Sequence, residues 1–159
     1  RELGFIAAAV QGATVAIETG FNAGMSACAM LASNPLLQVT SFDEGRWDCV
    51  NPAATYLKRK FGRLTLVLGD SKVTVPKYSG YLSDFTLIDG GHDYETAWSD
   101  IQHLGPVSKL VMVDDTNMPG VQEALRRAVS QGVLTDVREY SDTSSMVPRF
   151  WVTGKGLVG

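Results

Sequence analysis

The chain is poor in cysteine and in runs of basic residues. Cys28 and Cys49 are its only cysteines, and they stand too far apart for a metal-binding spacing. We therefore expect two reduced thiols in a cytoplasmic protein. No basic block is longer than Lys58-Arg59-Lys60, and the net charge is −3. This charge pattern argues against nucleic acid as the main partner.

The chain also lacks a long hydrophobic run, an internal repeat and a low-complexity segment. Its most apolar stretches cover residues 5–10 and 13–17, and Gln11 and Gly12 separate them. Neither stretch is long enough to span a bilayer, so no membrane partner is predicted. With 159 residues, of which 45% are apolar, the chain is expected to form a single domain over residues 1–159.

Strand-like and helix-like patterns alternate along the chain. Apolar runs that are typical of buried strands cover residues 14–17, 38–42, 64–68, 85–88 and 110–113. Apolar residues recur at helical spacing over 94–101 and 121–129. Asn51 as a cap with Pro52 at the first helical position predicts a further helix that ends near Phe61-Gly62. This alternation predicts an α/β fold with a doubly wound parallel sheet.

The end of the chain shows a different pattern. Residues 135–140 and 150–153 are strand-like, and no helix fits between them. They are expected to pair as a C-terminal antiparallel hairpin. The full prediction is therefore a mostly parallel, seven-stranded sheet, with the polar loop 141–148 as a candidate lid.

The first predicted strand leads directly into a glycine-bearing turn and then into a helix. The turn covers Glu18-Thr19-Gly20-Phe21-Asn22-Ala23-Gly24-Met25-Ser26. Such a turn lets backbone N–H groups face a nucleotide-like ligand at the carboxyl edge of a parallel sheet. The spacing of Gly20 and Gly24 does not match the Gly-x-Gly-x-x-Gly of NAD-binding domains, and the lysine of a phosphate-binding loop is missing.

An acidic residue follows each of the five predicted parallel strands. These acids are Glu18, Asp43, Asp70, Asp89 and the pair Asp114-Asp115. An acidic edge disfavours a bare phosphate and suits a cationic ligand that carries ribose hydroxyls and an adenine amino group. S-adenosylmethionine has all three features.

Five motifs stand in order along the chain: Glu-x-Gly-Phe-Asn-Ala-Gly-x-Ser, Ser-Phe-Asp, Leu-Gly-Asp-Ser, Ile-Asp-Gly-Gly-His and Val-Asp-Asp-Thr. In these motifs the chain resembles class I S-adenosylmethionine-dependent methyltransferases, and it is most similar to a small bacterial-type group. Asn22 stands where many methyltransferases have a glycine, and this group shares the Asn form. The resemblance implies the Rossmann-like methyltransferase fold over nearly the whole chain.

The resemblance also implies a cofactor site. The turn from Gly20 to Gly24 would pass beneath the methionine part, and Glu18 would reach its amino group through water or backbone. Asp43 would accept hydrogen bonds from the ribose hydroxyls, and Asp70 and Ser71 would flank the adenine. The alternatives are a capping or surface role for Asp43 and a simple turn at Asp70. The expected cofactor-binding residues are Glu18, Thr19, Gly20, Phe21, Asn22, Ala23, Gly24, Ser26, Asp43, Gly69, Asp70, Ser71, Asp89 and Gly90.

The acids after the fourth and fifth strands are candidates for a metal site. Neighbouring strands lie roughly 4.8 Å apart, so Asp89, Asp114 and Asp115 could share a hard cation such as Mg²⁺. Similar sugar and catechol O-methyltransferases use an acidic cluster there. The alternative is that Asp114 and Asp115 are turn residues that precede the helix after Pro119.

His92 is the candidate general base, with Asp89 as a second catalytic candidate. Histidine changes its charge near neutral pH, and His92 follows the expected methyl position in a Gly-Gly turn. An oxygen nucleophile must lose a proton, either to such a base or by binding a metal. The alternative is that His92 only shapes the turn or contacts the cofactor.

These features predict a cytoplasmic enzyme that transfers the methyl group of S-adenosylmethionine to a small-molecule acceptor, most simply at oxygen, and releases S-adenosylhomocysteine. Mg²⁺ is a candidate second cofactor. A catalytically inactive cofactor-binding module and an NAD-dependent oxidoreductase are the alternatives. The loops after the strands are short, so the site is expected to be open, and a homodimer is one way of completing it.

Overall fold

The structure is a computed structural model that describes residues 2–140 and 150–154. Helices and strands alternate through most of this length. The helices are α1 (Glu2–Ala9), α2 (Met25–Ser33), α3 (Val50–Phe61), α4 (Ser71–Thr74), α5 (Tyr94–Leu104) and α6 (Pro119–Ser130), with short 3₁₀ turns at Val75–Lys77 and Gly105–Val107. The strands are β1 (Val15–Thr19), β2 (Gln38–Asp43), β3 (Leu64–Leu68), β4 (Ser83–Ile88), β5 (Ser108–Val113), β6 (Arg138–Tyr140) and β7 (Phe150–Gly154).

The first five strands are all parallel and lie in the order β3-β2-β1-β4-β5. The order reverses at β1, between β2 and β4, and such a switch point is where open α/β sheets bind ligands. The prediction of an α/β fold built on a parallel sheet is therefore confirmed. Beyond β5, the backbone of β7 runs antiparallel to both β5 and β6, and the candidate lid 141–148 lies outside the described residues.

Buried apolar side chains cover both faces of the sheet. On one face Ile6 of α1, Met30 of α2 and Leu57 of α3 pack against the strands. On the other face Ile101 of α5 and Leu125 of α6 pack over β4 and β5. This two-sided burial explains why the central strands read as continuous apolar runs rather than as alternating patterns.

Local signals set several of the helix ends. The carboxylate of Asp93 accepts a hydrogen bond from the Thr96 amide at 3.0 Å and so caps α5. Gly62 ends α3 in the left-handed conformation, with φ of +68°. The expected cap at Asn51 is wrong, because α3 already begins at Val50 and Cys49 occupies the cap position. Pro52 is tolerated there because amides of the first helical turn need no intrahelical partner.

Among the described residues, no helix is long and apolar enough to cross a membrane.

Candidate functional site

Backbone hydrogen bonds continue the parallel sheet for one residue beyond its strands. The amide of Gly20 donates to the Phe42 carbonyl at 2.9 Å, and the amide of Asp89 donates to the Thr19 carbonyl at 3.0 Å. The other such bonds run from Asp114 to Ile88 and from Gly69 to Asp43, both at 2.9 Å. The predicted site residues that follow the five strands are thus brought to one edge of the sheet.

Gly20 is the most crowded point of this edge. Its φ is +88°, and a Cβ atom there would lie 1.8 Å from the carbonyl oxygen of Asp89. Only glycine fits both the left-handed backbone and this close approach. The turn after β1 and the end of β4 therefore meet backbone to backbone, and this contact forms a floor at the switch point.

The rest of the glycine turn divides between core and surface. Phe21 is buried, and its ring would clash with a Cβ atom at Gly24. Because the Phe21 side chain lies in the core, only its backbone could contact a cofactor in the turn. Asn22 and Ala23 are exposed, and Asn22 has a φ of +46°.

Glu18 lies near the end of β1, with its side chain inside the fold. Its side chain is fully buried, and its two oxygens accept hydrogen bonds from the hydroxyls of Ser26 and Ser41. Burial raises the pKa of Glu18 to about 7, against the opposing effect of the two serine hydrogen bonds. The carboxyl group thus fixes the first turn of α2 against β2. The expected contact of Glu18 with the methionine amino group, through water or backbone, stays a prediction.

Asp43 links two loops at the end of β2. One carboxylate oxygen accepts from the amide of Asn22 at 2.8 Å, and the other accepts from the amide of Gly45 at 2.7 Å. Each oxygen can still accept a further hydrogen bond. Asp43 is therefore held in place beside the glycine turn and keeps acceptor capacity for a ligand.

Asp70 caps α4, a role that neither the expected adenine contact nor the alternative of a simple turn had included. One carboxylate oxygen accepts from the amide of Lys72 at 2.9 Å, and the other lies 3.4 Å from the ammonium group of the same residue. Lys72 also donates to the hydroxyl of Thr96 at 3.0 Å, which ties α4 to α5. About half of the Asp70 side chain remains exposed, so the cap leaves it open to a ligand.

The ends of β4 and β5 form an acidic cluster with a histidine. Ligand atoms of Asp89, His92 and Asp115 all lie within 4.8 Å of one another. The Nε2 atom of His92 is 2.8 Å from a carboxylate oxygen of Asp115. Burial raises the pKa of Asp89 to about 8, and the neighbouring charges of Asp114 and Asp115 add to this effect.

Asp114 lies outside that three-residue group, although its charge is near enough to raise the pKa of Asp89. Its carboxylate accepts a hydrogen bond from the amide of Asp115 at 2.8 Å. Burial raises its pKa to about 7, and the charge of Glu2 and a hydrogen bond to it raise the pKa further. The geometry thus joins His92, rather than the predicted Asp114, to Asp89 and Asp115.

Two acids of this region were missed by the sequence analysis. Glu2 brings a further carboxyl group from the start of α1 to Asp114, and nothing in the sequence connects these two positions. Asp100 is fully buried on α5. A signal for Asp100 did exist, because it falls within the apolar stripe of Ala97, Trp98 and Ile101.

A family profile described as "Methyltransferase domain" matches residues 17–116. This span runs from β1 past the end of β5 and contains every strand end described above. The chain belongs to this methyltransferase family. The profile and the structural likenesses below support a class I methyltransferase, the class that uses S-adenosylmethionine.

Solved structures support the same fold for this methyltransferase at low sequence identity. A protein from Staphylococcus aureus, provisionally named a caffeoyl-CoA O-methyltransferase, has a TM-score of 0.77 and 13% identity, over 97% of this chain and 83% of that chain. The TDP-rhamnose 3′-O-methyltransferase of calicheamicin biosynthesis has a TM-score of 0.72 and 20% identity, over 98% and 78%. The cofactor-bound protein Rv0187 from MTB has a TM-score of 0.76 and 18% identity, over 96% and 78%. No curated protein matches the methyltransferase in sequence.

Proposed function

We propose that this methyltransferase moves the methyl group of S-adenosylmethionine to an oxygen of a small-molecule acceptor. The observation that carries the proposal is a contact at the switch point between the glycine turn and the acidic cluster. The glycine turn after β1 abuts Asp89, and Asp89 belongs to a cluster that holds His92 and Asp115. This contact supports a cofactor site and a proton acceptor at one edge of the sheet.

The residues present suit S-adenosylmethionine. When bound, this cofactor supplies a methyl group on a cationic sulfonium, which the acidic edge would favour. Asp43 would accept from the ribose hydroxyls, because both of its oxygens retain acceptor capacity after the bonds from Asn22 and Gly45. Gly69 and Ser71 stand on either side of Asp70, where adenine would lie. Gly20 and Gly90 flank the close contact at Asp89, beside which the methionine part would lie.

His92 would act as the general base. If its Nε2–H group donates to Asp115, the lone pair of Nδ1 is free to take a proton from an acceptor hydroxyl. About 44% of the His92 side chain is exposed, so an acceptor can reach it. Asp115 would hold the ring in this orientation, and the removal of the hydroxyl proton makes the oxygen a better nucleophile for the methyl group.

A divalent cation is a second way to activate the same hydroxyl. Asp89 and Asp115 offer oxygen ligands of the type that Mg²⁺ prefers. A third ligand to the cation would be either His92, which is already near, or Asp114, once its contact with Glu2 is released. Because the pKa values of Asp89 and Asp114 are raised to about 8 and about 7, cation binding would compete with protons near neutral pH.

A methyl-transfer assay tests this function. The protein is incubated with methyl-labelled S-adenosylmethionine and three acceptor types: a nucleotide sugar, a catechol-type phenol and an amine. The first two follow the names of the similar structures. We expect label on a hydroxyl compound, and label on the amine alone would contradict transfer to oxygen.

His92→Asn is the matching variant, and His103→Asn is its control. His103 lies in the last turn of α5, away from the site edge, and among the described residues it bonds only the Ser99 carbonyl of its own helix, at 2.7 Å. We expect His92→Asn to lower the transfer rate by 10²–10⁴-fold without changing affinity for S-adenosylhomocysteine. His103→Asn should change neither quantity. Cofactor binding without any transfer would favour the inactive module instead.

Repeating the assay with EDTA and then with added Mg²⁺ separates the two ways of activating the hydroxyl. A base mechanism predicts unchanged rates in EDTA. A rate that is lost in EDTA and restored by Mg²⁺ would assign activation to the cation.

We also propose that β6 and β7 are the closing antiparallel hairpin of a seven-stranded methyltransferase sheet. The antiparallel backbone pairing of β7 with β5 and β6 supports this assignment.

A further inference from the structure

Asp100 is a buried carboxylate without a hydrogen-bond partner. Its side chain has no exposed surface, and neither of its oxygens meets a donor in hydrogen-bonding geometry among the described residues. The hydroxyl of Thr19 is orphaned in the same sense, at 1% exposure. Orphaned buried polar groups are rare, and each costs free energy of folding. Two of them at one place therefore require an explanation.

These two groups flank the same glycine of the proposed cofactor site. A Cβ atom at Gly90 would lie 3.2 Å from Oδ2 of Asp100 and 3.2 Å from Oγ1 of Thr19. Thr19 comes directly before Gly20, and Gly90 comes directly after Asp89. The carboxylate thus lies immediately behind the floor on which the methionine part of the cofactor would rest.

Asp100 also faces the adenine end of the site. Burial raises its pKa to about 6, and the hydroxyls of Ser71 and Thr19 oppose that rise. Ser71 is the first residue of α4 and follows Asp70. Hydroxyls from the two opposite ends of the cofactor site thus lie close enough to lower the pKa of Asp100, although neither reaches the distance and angle of a full hydrogen bond to it.

We propose that Asp100 is a positioning residue that couples the two ends of the cofactor site. When the cofactor binds, the hydroxyls of Thr19 and Ser71 donate to the two carboxylate oxygens of Asp100. These two hydrogen bonds draw the turn after β1 and the start of α4 onto the ligand. The proposal rests on the proposed function, because it requires a cofactor that spans both ends.

The unpaired carboxylate makes the proposal testable, because its removal should maintain or raise stability but weaken cofactor binding. Asp100→Asn keeps the shape of the side chain and removes a buried charge that has no partner in the free protein. We expect the free variant to unfold at the same urea concentration as the wild type or at a higher one. We expect its affinity for S-adenosylhomocysteine, measured by calorimetric titration, to fall about tenfold.

Asp84→Asn is the matched control. The Asp84 carboxylate lies at the opposite end of the sheet and accepts hydrogen bonds from Thr14, Val15 and Lys109. Its loss should lower the unfolding midpoint and leave affinity within twofold of the wild type. A purely structural Asp100 would behave like Asp84, and that result would overturn the proposal.

A double-mutant cycle gives an independent readout. Thr19→Val and Ser71→Ala should each weaken binding of S-adenosylhomocysteine, yet change it by less than twofold when Asp100 is already Asn. Fully additive effects would refute the coupling. A folded wild type that binds no S-adenosylhomocysteine would instead refute the proposed function, and Asp100 would then have no part in a cofactor site.

Discussion

Adding a single methyl group at Gly20 should damage both the fold and the cofactor site. Gly20→Ala places a Cβ atom 1.8 Å from the backbone carbonyl of Asp89, in a residue whose φ is +88°. A left-handed backbone costs a non-glycine residue roughly 1–2 kcal/mol. The clash adds about 1–3 kcal/mol, because two backbone segments must separate. The total loss in free energy of unfolding is therefore about 2–5 kcal/mol.

Gly12→Ala is the control that isolates the clash. Gly12 has a similar φ of +77°, but a Cβ atom there would have nothing within 4 Å. Gly12→Ala should lower the free energy of unfolding only by the cost of a left-handed backbone, about 1–2 kcal/mol. Comparison of the two variants by urea unfolding removes the conformational cost that they share.

Calorimetric titration adds the functional half of this prediction. We expect Gly20→Ala to weaken S-adenosylhomocysteine binding by at least tenfold, since separation of β1 from β4 deforms the floor of the site. Gly12→Ala should bind as the wild type does. Equal stability losses in the two variants, together with unchanged affinity in Gly20→Ala, would refute the close approach of the two strand ends.

Three further predictions concern stability. Arg63→Met should lower the free energy of unfolding by about 1–3 kcal/mol, because the guanidinium group donates to three carbonyl groups around the end of α2. Its control is Arg126→Met, which loses one exposed hydrogen bond to Gln122 and should be nearly neutral in the same urea titration. Glu18 has a pKa raised from 4.5 to about 7, so the folded protein keeps a proton that the unfolded chain releases. The stability that this proton contributes is complete below pH 4.5 and is lost as the pH rises through 7. Glu18→Gln should therefore make the free energy of unfolding decline less over this pH range. An unchanged decline would contradict the raised pKa of Glu18. Asp93→Ala removes the cap of α5 and should lower the thermal midpoint by a few degrees, at about 1 kcal/mol; an unchanged midpoint would show that the cap is dispensable.

The parallel sheet was predictable because its strands are buried on both faces. Residues 14–17 and 85–88 read as apolar runs, and they form the centre of the observed sheet as β1 and β4. Parallel pairing then places every strand end at one edge, so the approximate location of the site follows from the order of the motifs. No side-chain geometry is needed for this step.

The direction of individual side chains was harder to predict. Glu18 lies two residues after Ala16 on β1, and successive side chains of a strand alternate between its two faces. Since Ala16 packs under α2, Glu18 points to the same face and meets Ser26 and Ser41 rather than the open edge. The glycine motif indicated a ligand contact through water or backbone, and it did not indicate the two serine partners of the side chain.

Contacts between distant segments could not be predicted at all. The carboxyl group of Glu2 reaches Asp114 only because α1 starts at the site edge of the sheet. Likewise, His92 rather than Asp114 joins Asp89 and Asp115, since the loop after β4 folds back towards β5. The spacing of residues along the chain does not predict such loop geometry.

The most direct test of the cofactor site is a calorimetric titration of wild type and Asp43→Asn with S-adenosylhomocysteine. Asp43 is anchored by backbone amides of two loops, and a ribose at this edge would add its hydroxyls to the same carboxylate. We predict micromolar binding by the wild type and a loss of at least tenfold in the variant, with both proteins equally well folded by circular dichroism. Absence of binding by a folded wild type, or equal affinity in the two proteins, would contradict a cofactor site at the end of β2.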